Sequence, residues 1–229
     1  MNRVVFLNSF LLCPQKKTIG NIRFITYVTN VIASYSDGDL QSLIASNAMV
    51  VKPNQLVNFF NIKMSGVRAL LNKDTSWLES ATWLSPNGKI EPCFKSITYI
   101  SYQGYYVEFN EEFLKSIINN LDQAVLIDCE KFGKIDSVYS QVLYGQYITS
   151  KEGVITYSPE GLRKIFDLQD CYSNNYMLHK KCIKDPCDKL NKIFKINLDS
   201  KKISFGGGDF LWVVGDERSI SNAEAALAT

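Results

Sequence analysis

The sequence predicts an α+β fold, on three observations. Apolar residues recur at helical spacing in several stretches, as with Ile22, Ile25, Val28 and Ile32. Two runs, Trp77 to Leu84 and Ile97 to Phe109, are rich in β-branched and aromatic residues and are separated by turn residues. From about Ser137 to Phe205 the order reads helix, strand, short helix, turn, long basic helix and hairpin, so both periods occur within one unit.

A chain of 229 residues, 46% hydrophobic and 21% charged, can build one large core or two smaller ones. Its net charge is +2, so a basic face exists only where acids are kept away from it. Residues 1–110 carry ten Lys/Arg against six Asp/Glu, residues 111–205 fourteen against thirteen, and residues 206–229 one against four. The basic surplus therefore lies in the first half and the acidic one at the end.

In the first half, Val4 to Leu12 is an apolar run too short to span a bilayer. It is expected to pack on the first domain, with no membrane partner. Thr18 to Ser36 reads as one helix, ended by the turn residues Ser36-Asp37-Gly38-Asp39. Ala48 to Val51 is a short strand. Pro53 then opens a helix, where its missing N–H costs nothing. Leu56, Phe59 and Phe60 form that helix's apolar face.

After Asn61 a second short helix is expected, with Val67, Leu70 and Leu71 inward and Arg68, Asn72 and Lys73 outward. Two short helices and a tight turn are a helix-turn-helix pattern, whose second helix can enter a major groove. The same pattern also describes two packed helices. In the hairpin beyond it, Tyr105, Val107 and Phe109 fall on one face and Tyr106 and Glu108 on the other. Tyr99, Tyr102, Tyr105 and Tyr106 read as cross-strand packing in preference to a stacking platform for single strands.

In the second half, Asn110 caps a helix carrying Phe113, Leu114 and Ile117, and a domain boundary is expected there. Glu130 to Lys134 reads as loop. Tyr139, Leu143 and Tyr147 form a stripe on the next helix, Val154 to Tyr157 a strand, and Ser158-Pro159 a helix start. The long helix, about Tyr176 to Lys195, gathers Ile183, Cys187, Leu190 and Phe194 on one side, with His179 among them. Lys180, Lys181, Lys184, Asp188, Asn191, Lys192 and Lys195 collect on the other.

Ammonium groups on such a face suit phosphates, and Asn174, Asn175 or Asn191 would reach base edges, although the same charge-rich face also describes a helix that is simply solvated. Pro186 interrupts the helix and is expected to bend it. A hairpin with a basic tip, Asp199-Ser200-Lys201 with Lys202 beside it, is expected next, then a glycine turn and a strand from Phe210 to Val214. This order is that of a winged helix, and the reading it supports is binding of double-stranded DNA.

Catalysis is not expected. The single histidine cannot build the paired-histidine metal site of a DNA-nicking enzyme, and no Walker, Rossmann, HExxH or nucleophile-elbow motif is present. Six cysteines without any CxxC read as reduced thiols of a cytoplasmic protein. Cys171, His179, Cys182 and Cys187 share one segment but lack zinc-knuckle spacing, so no metal and no cofactor are expected.

Two stretches resemble the RepB/RepE-like Rep_3 group of plasmid replication initiator proteins, which are built from two tandem winged helices. One is Ile97-Thr98-Tyr99 through Gly104-Tyr105-Tyr106-Val107-Glu108-Phe109-Asn110 and Phe113-Leu114. The other runs from Tyr139 through Leu143-Tyr144 and Tyr147 to Ser158 and Leu162-Arg163-Lys164-Ile165-Phe166. His179-Lys180-Lys181 and Lys189-Leu190-Asn191 occupy the family's basic recognition helix, with Lys-Leu-Asn where the family has Glu-Ile-Asn. The resemblance covers roughly residues 40–205, most firmly about 95–195.

It implies a first winged helix over 1–109, a second over 110–215 and a flexible tail over 216–229. It further implies binding of origin repeats as a monomer, repression of its own gene as a dimer, and contacts with host initiator and helicase proteins. The DNA contacts expected from the helices and hairpin above are Arg68, Asn72, Lys73, Asn174, Lys180, Lys181, Lys184, Asn191, Lys201 and Lys202. A winged-helix transcription regulator or interaction module is the alternative, because it needs the same groove-reading helix.

Overall fold

The computed structural model describes residues 2–14, 18–63, 81–100, 103–169, 171–172, 174–205 and 209–227. Helices and antiparallel strands are mixed along the chain, as an α+β fold requires. The chain divides into two compact units, the first ending at Lys134 and the second beginning at Ile135.

In the first unit, β1 (Asn2–Val4) leads to α1 (Asn8–Leu11). Val4, Val5, Phe6, Leu7, Phe10 and Leu11 are all buried, so the apolar N-terminal run is core. Then comes α2 (Ile19–Ala33), held at its start by a reciprocal pair: Thr18 Oγ1 accepts from Asn21 N–H and Asn21 Oδ1 from Thr18 N–H. Ser36-Asp37-Gly38-Asp39, expected only to end that helix, begins another, α3 (Asp37–Ser46). The Asp39 carboxylate accepts the Ser36 N–H at 3.1 Å and Ser36 Oγ accepts the Asp39 N–H at 3.3 Å. The same residues serve turns and caps, because both use a short side chain to satisfy a nearby N–H.

After β2 (Ala48–Val51), α4 (Pro53–Phe60) opens on its proline and closes on Asn61 at φ 48°. The second helix of the expected helix-turn-helix, with Arg68, Asn72 and Lys73, lies outside the described residues. A hairpin, β3 (Thr82–Leu84) with β4 (Ile90–Pro92), turns at Pro86-Asn87-Gly88, where Gly88 has φ 79°. Next, β5 (Phe94–Ile100) and β6 (Gly104–Phe109) join β2 in a sheet of order β2-β6-β5. As the alternation predicted, Tyr105, Val107 and Phe109 are buried and Tyr106 is exposed. Tyr99 packs on its cross-strand partner Tyr105, ring centroids 5.1 Å apart.

The expected boundary near residue 110 falls inside this unit. In α5 (Glu111–Asn119), Phe113 meets Trp83 at 5.4 Å and Phe94 at 6.1 Å between ring centroids, which fixes the helix to the first core. Then β7 (Val125–Ile127) pairs antiparallel with β1. Where loop was expected, Asp128 caps α6 (Cys129–Gly133) by accepting the Lys131 N–H at 3.0 Å. A Cβ on Gly133 would lie 2.4 Å from the Phe60 carbonyl oxygen, so only glycine lets α6 come this close to α4.

The second unit starts with α7 (Val138–Thr149). The expected stripe does not describe it. Ser140 to Gln146 are all buried while Tyr139 and Tyr147 are half-buried, so the helix is enclosed on most sides. Its polar groups are answered from within: Gln141 Nε2 donates to the Ile135 carbonyl at 3.1 Å, and the Tyr157 hydroxyl donates to Gln146 Oε1. After β8 (Val154–Tyr157) and α8 (Pro159–Ile165) comes the long helix, made of α9 (Asn175–His179), a π turn (Lys180–Lys184) and α10 (Asp185–Phe194).

Two expectations about the C-terminal elements are corrected. The hairpin is not centred on Asp199-Ser200-Lys201. Those residues begin β9 (Asp199–Ser204), which pairs along its length with β10 (Phe210–Gly215) from Asp199↔Gly215 to Ser204↔Phe210. The connection runs between Phe205 and Asp209, whose N–H and carbonyl bond at 2.8 Å. The sheet has the order β8-β10-β9. Residues 216–229, expected to be a flexible tail, form α11 (Glu217–Leu227) over residues 217–227. Ile220 is buried and Asp216 Oδ1 accepts the Ser219 N–H at 2.8 Å, so the helix is both capped and packed.

Candidate nucleic-acid interface

The loop before the long helix is held by Arg163. Its guanidinium donates to Asn175 Oδ1 from both Nη atoms at 3.2 Å and to the Tyr172 carbonyl at 2.9 Å. Asn174 caps α9, its Oδ1 accepting the Met177 N–H at 2.8 Å. Both asparagines expected near bases, Asn174 and Asn175, thus have side-chain work in starting the helix. Leu178, Cys182, Ile183, Cys187 and Leu190 are buried on one side, and Phe194 stacks on Tyr144 with centroids 4.2 Å apart. The apolar face read from the sequence is the packed face.

Pro186 sits just inside α10 without breaking the helix. Proline has no N–H, and its ring collides with the carbonyl four residues back. The π turn immediately before it shifts the bonding to i→i+5, which removes that collision. The proline is thus marked in the structure by a change in winding just before it.

The lysine face is less free than its composition suggested. Lys181 lies 3.0 Å from Asp185, and Lys184 lies 3.7 Å from Asp188 and 3.3 Å from Asp199. Hydrogen bonding to Asp185 raises the Lys181 pKa, and bonding to Asp199 raises that of Lys184. Lys180 and Lys192 are exposed and make no ion pair among the described residues. Exposed pairs of this kind are worth about 0–1 kcal/mol, so a phosphate can displace the carboxylates. Asn191, expected to reach a base, is spent within the protein. Its amide donates to the Leu198 carbonyl at 2.8 Å and accepts the Leu198 N–H at 2.7 Å, fixing the turn into β9.

Lys201 and Lys202, adjacent on β9, leave opposite faces of the sheet. Lys202 opposes Trp212 in register and its Nζ lies 4.0 Å from the Phe210 ring centroid. Lys201 points to α11, with Nζ 2.6 Å from Glu224. Lys202 faces the side where β9 meets the start of the long helix. There His179 Nε2 and Ser200 Oγ are 2.9 Å apart, and the imidazole lies 5.3 Å from the Trp212 ring. Burial, then the nearby Lys184 ammonium, lower the His179 pKa.

Two openings flank β9. A groove of about 330 Å³ is lined by Asn175, Tyr176, His179, Ser200, Lys202, Phe210 and Trp212. A cleft of about 920 Å³ takes in Lys184, Asn191, Lys201, Asp216 and Arg218. Of the expected contacts, Lys184, Asn191 and Lys201 border the cleft and Lys202 the groove. Sequence reading missed Tyr176, 71% exposed at the start of the helix, and the Phe210 and Trp212 rings. The period of β10 would have placed both rings on one face, had its partner strand been assigned correctly.

The zinc-like segment does not converge: Cys182 and Cys187 are buried in the helix packing while Cys171 is exposed. Among the described residues, no group of three or more His, Cys, Asp or Glu could hold a metal. Nor is any helix there long and apolar enough to cross a membrane.

A mixed helix and strand protein that presents a basic helix beside a three-stranded antiparallel sheet is the class these elements define. The chain belongs to the initiator replication protein family, whose model for the domain described as "Initiator Replication protein, WH1" matches residues 4–148. Membership implies a plasmid replication-initiator function, which in this family is generally non-enzymatic and works through DNA. The match begins well before residue 40, where the resemblance was first legible, and ends within α7. No curated protein matches the chain.

Proposed function

We propose that the chain is a sequence-specific double-stranded DNA-binding protein with two tandem winged helices. In this reading it initiates plasmid replication at origin repeats and represses its own gene. The observation that carries it is a repeated strand order. In the first unit β2 is followed by α4 and later by β5 and β6, and the sheet runs β2-β6-β5. In the second, β8 is followed by α8 and the long helix, then by β9 and β10, and the sheet runs β8-β10-β9. In each, the first strand pairs with the third, as in a winged helix. Family membership supplies the replication role.

Lys180, Lys184 and Lys192 on the long helix, with Lys202 on the wing, are the cations offered to phosphate. Self-association at an operator and contacts with host initiator and helicase belong to the same reading. A winged-helix transcription regulator or protein-interaction module without a replication role is the second reading, and the ion pairs that Lys181, Lys184 and Lys201 already make favour the interaction module.

Fluorescence anisotropy on duplexes carrying short direct repeats from beside the encoding gene separates the two. Tighter binding to the repeats than to mixed sequence, with affinity falling steeply in salt, supports the initiator. No preference for flanking repeats favours the regulator.

A further inference from the structure

We propose that the groove between α9 and the wing strands is a phosphate-binding site whose occupancy is linked to proton uptake by His179. This rests on the reading that this side of the second unit meets DNA, and it assigns roles to Tyr176, His179 and Ser200 that the lysine face did not.

The groove joins groups suited to one phosphate. The Lys202 ammonium is held over the Phe210 ring, 4.0 Å from its centroid, and so stays beside the opening. Ser200 offers a hydroxyl and Asn175 an amide, while His179 offers a ring nitrogen already within 2.9 Å of Ser200 Oγ. Trp212 and Phe210 form an apolar wall that lowers the local dielectric, which strengthens any charge contact made against it. The volume, about 330 Å³, admits a phosphodiester group but not a folded peptide segment.

The charges around His179 explain the linkage. On the π turn Lys184 opposes its protonation, and on β9 Asp199 favours it, although Asp199 is already paired with Lys184. Lys202 and the Tyr176 phenol are the other titratable groups of the groove. Without an anion, burial and then the Lys184 ammonium hold the imidazole pKa below its usual value. A phosphate among them reverses the balance, since it attracts a second positive charge. His179 then binds a proton as the phosphate binds, and affinity rises as pH falls through the interval between the free and bound pKa values. The steepest dependence for one linked proton is about tenfold per pH unit.

His179 is the only histidine in the chain, so its ring C–H proton gives one assignable NMR signal. Titrating that signal in the full chain, alone and with a mixed-sequence duplex at low salt, should show a higher pKa in the complex. By anisotropy the same duplex should bind more tightly at about pH 5.5 than at about pH 8, and His179→Gln should bind with that difference removed. An unchanged histidine titration in the bound complex overturns the proposal, as does a pH dependence that survives in His179→Gln. If no duplex binds at any pH, the DNA reading fails separately, and inorganic phosphate becomes the probe. A rise in the histidine pKa with phosphate then supports the site for free phosphate, and no rise rejects it.

Discussion

Lys184 lies 3.3 Å from Asp199, bridging the long helix and the first residue of the wing strand. The pair links the wing to the helix weakly and also neutralises a cation that a DNA backbone would use. Asp199→Asn should therefore tighten binding of a mixed-sequence duplex and steepen its salt dependence, whereas Lys184→Ala should weaken it by less than one unit of slope. Anisotropy titrations over a salt series check both.

Lys180 and Lys181 are neighbours with different prospects. Lys181 has Asp185 at 3.0 Å, while Lys180 is exposed with no ion pair among the described residues. Lys180→Ala should lower the salt slope by about one unit and Lys181→Ala by distinctly less. Equal slopes for the two variants would remove Lys180 from the contact surface.

Thiol reactivity should separate one cysteine from the others. Cys171 is exposed and the other five are buried. Burial pushes Cys129 up to about 11 and Cys182 and Cys187 up to about 12. Thiolates react and thiols do not. A disulfide reagent at pH 8 should thus modify one group quickly in the native chain, and the remainder only after denaturant is added.

Gly133→Ala is expected to destabilise the first unit by about 1–3 kcal/mol, the usual cost of forcing a methyl into a filled core. The added carbon would meet the Phe60 carbonyl oxygen at 2.4 Å. A fall in the urea midpoint at unchanged slope would register it.

In the second unit, Tyr157→Phe leaves the buried Gln146 carbonyl oxygen without its donor. The expected cost is about 1–3 kcal/mol, the desolvation penalty of an unpaired buried acceptor. Because burial raises the Tyr157 pKa above the phenol range, the wild-type bond should not weaken at mildly alkaline pH.

Features that depend on a few adjacent residues were legible in the sequence. Asn110, Pro53 and Ser158-Pro159 mark helix starts through their own side chains, and Tyr105, Val107 and Phe109 mark a strand face by alternation. Features that depend on distant partners were not. Nothing near Lys201 reveals Glu224, nothing near Lys189 reveals Asp136, and Asn191 is consumed by Leu198 across a turn. The wing was misplaced because Asp199-Ser200-Lys201 has turn composition, while its true partner lies beyond three glycines. A helical wheel ranks exposure well, yet it carries no information about which opposite charge will arrive.

The π turn also fixes an angular relation within the long helix. One residue more per turn than an α-helix advances everything before it by about 100° relative to everything after it. Winding Lys180–Lys184 as plain α-helix with no residue removed would rotate Tyr176 and His179 by about 100°, away from Ser200 and Trp212, while α10 kept its packing. The extra residue thus works as a phase setter: it lets one rod aim two sets of side chains independently, the hydrophobic set at α7 and the aromatic and polar set at the wing.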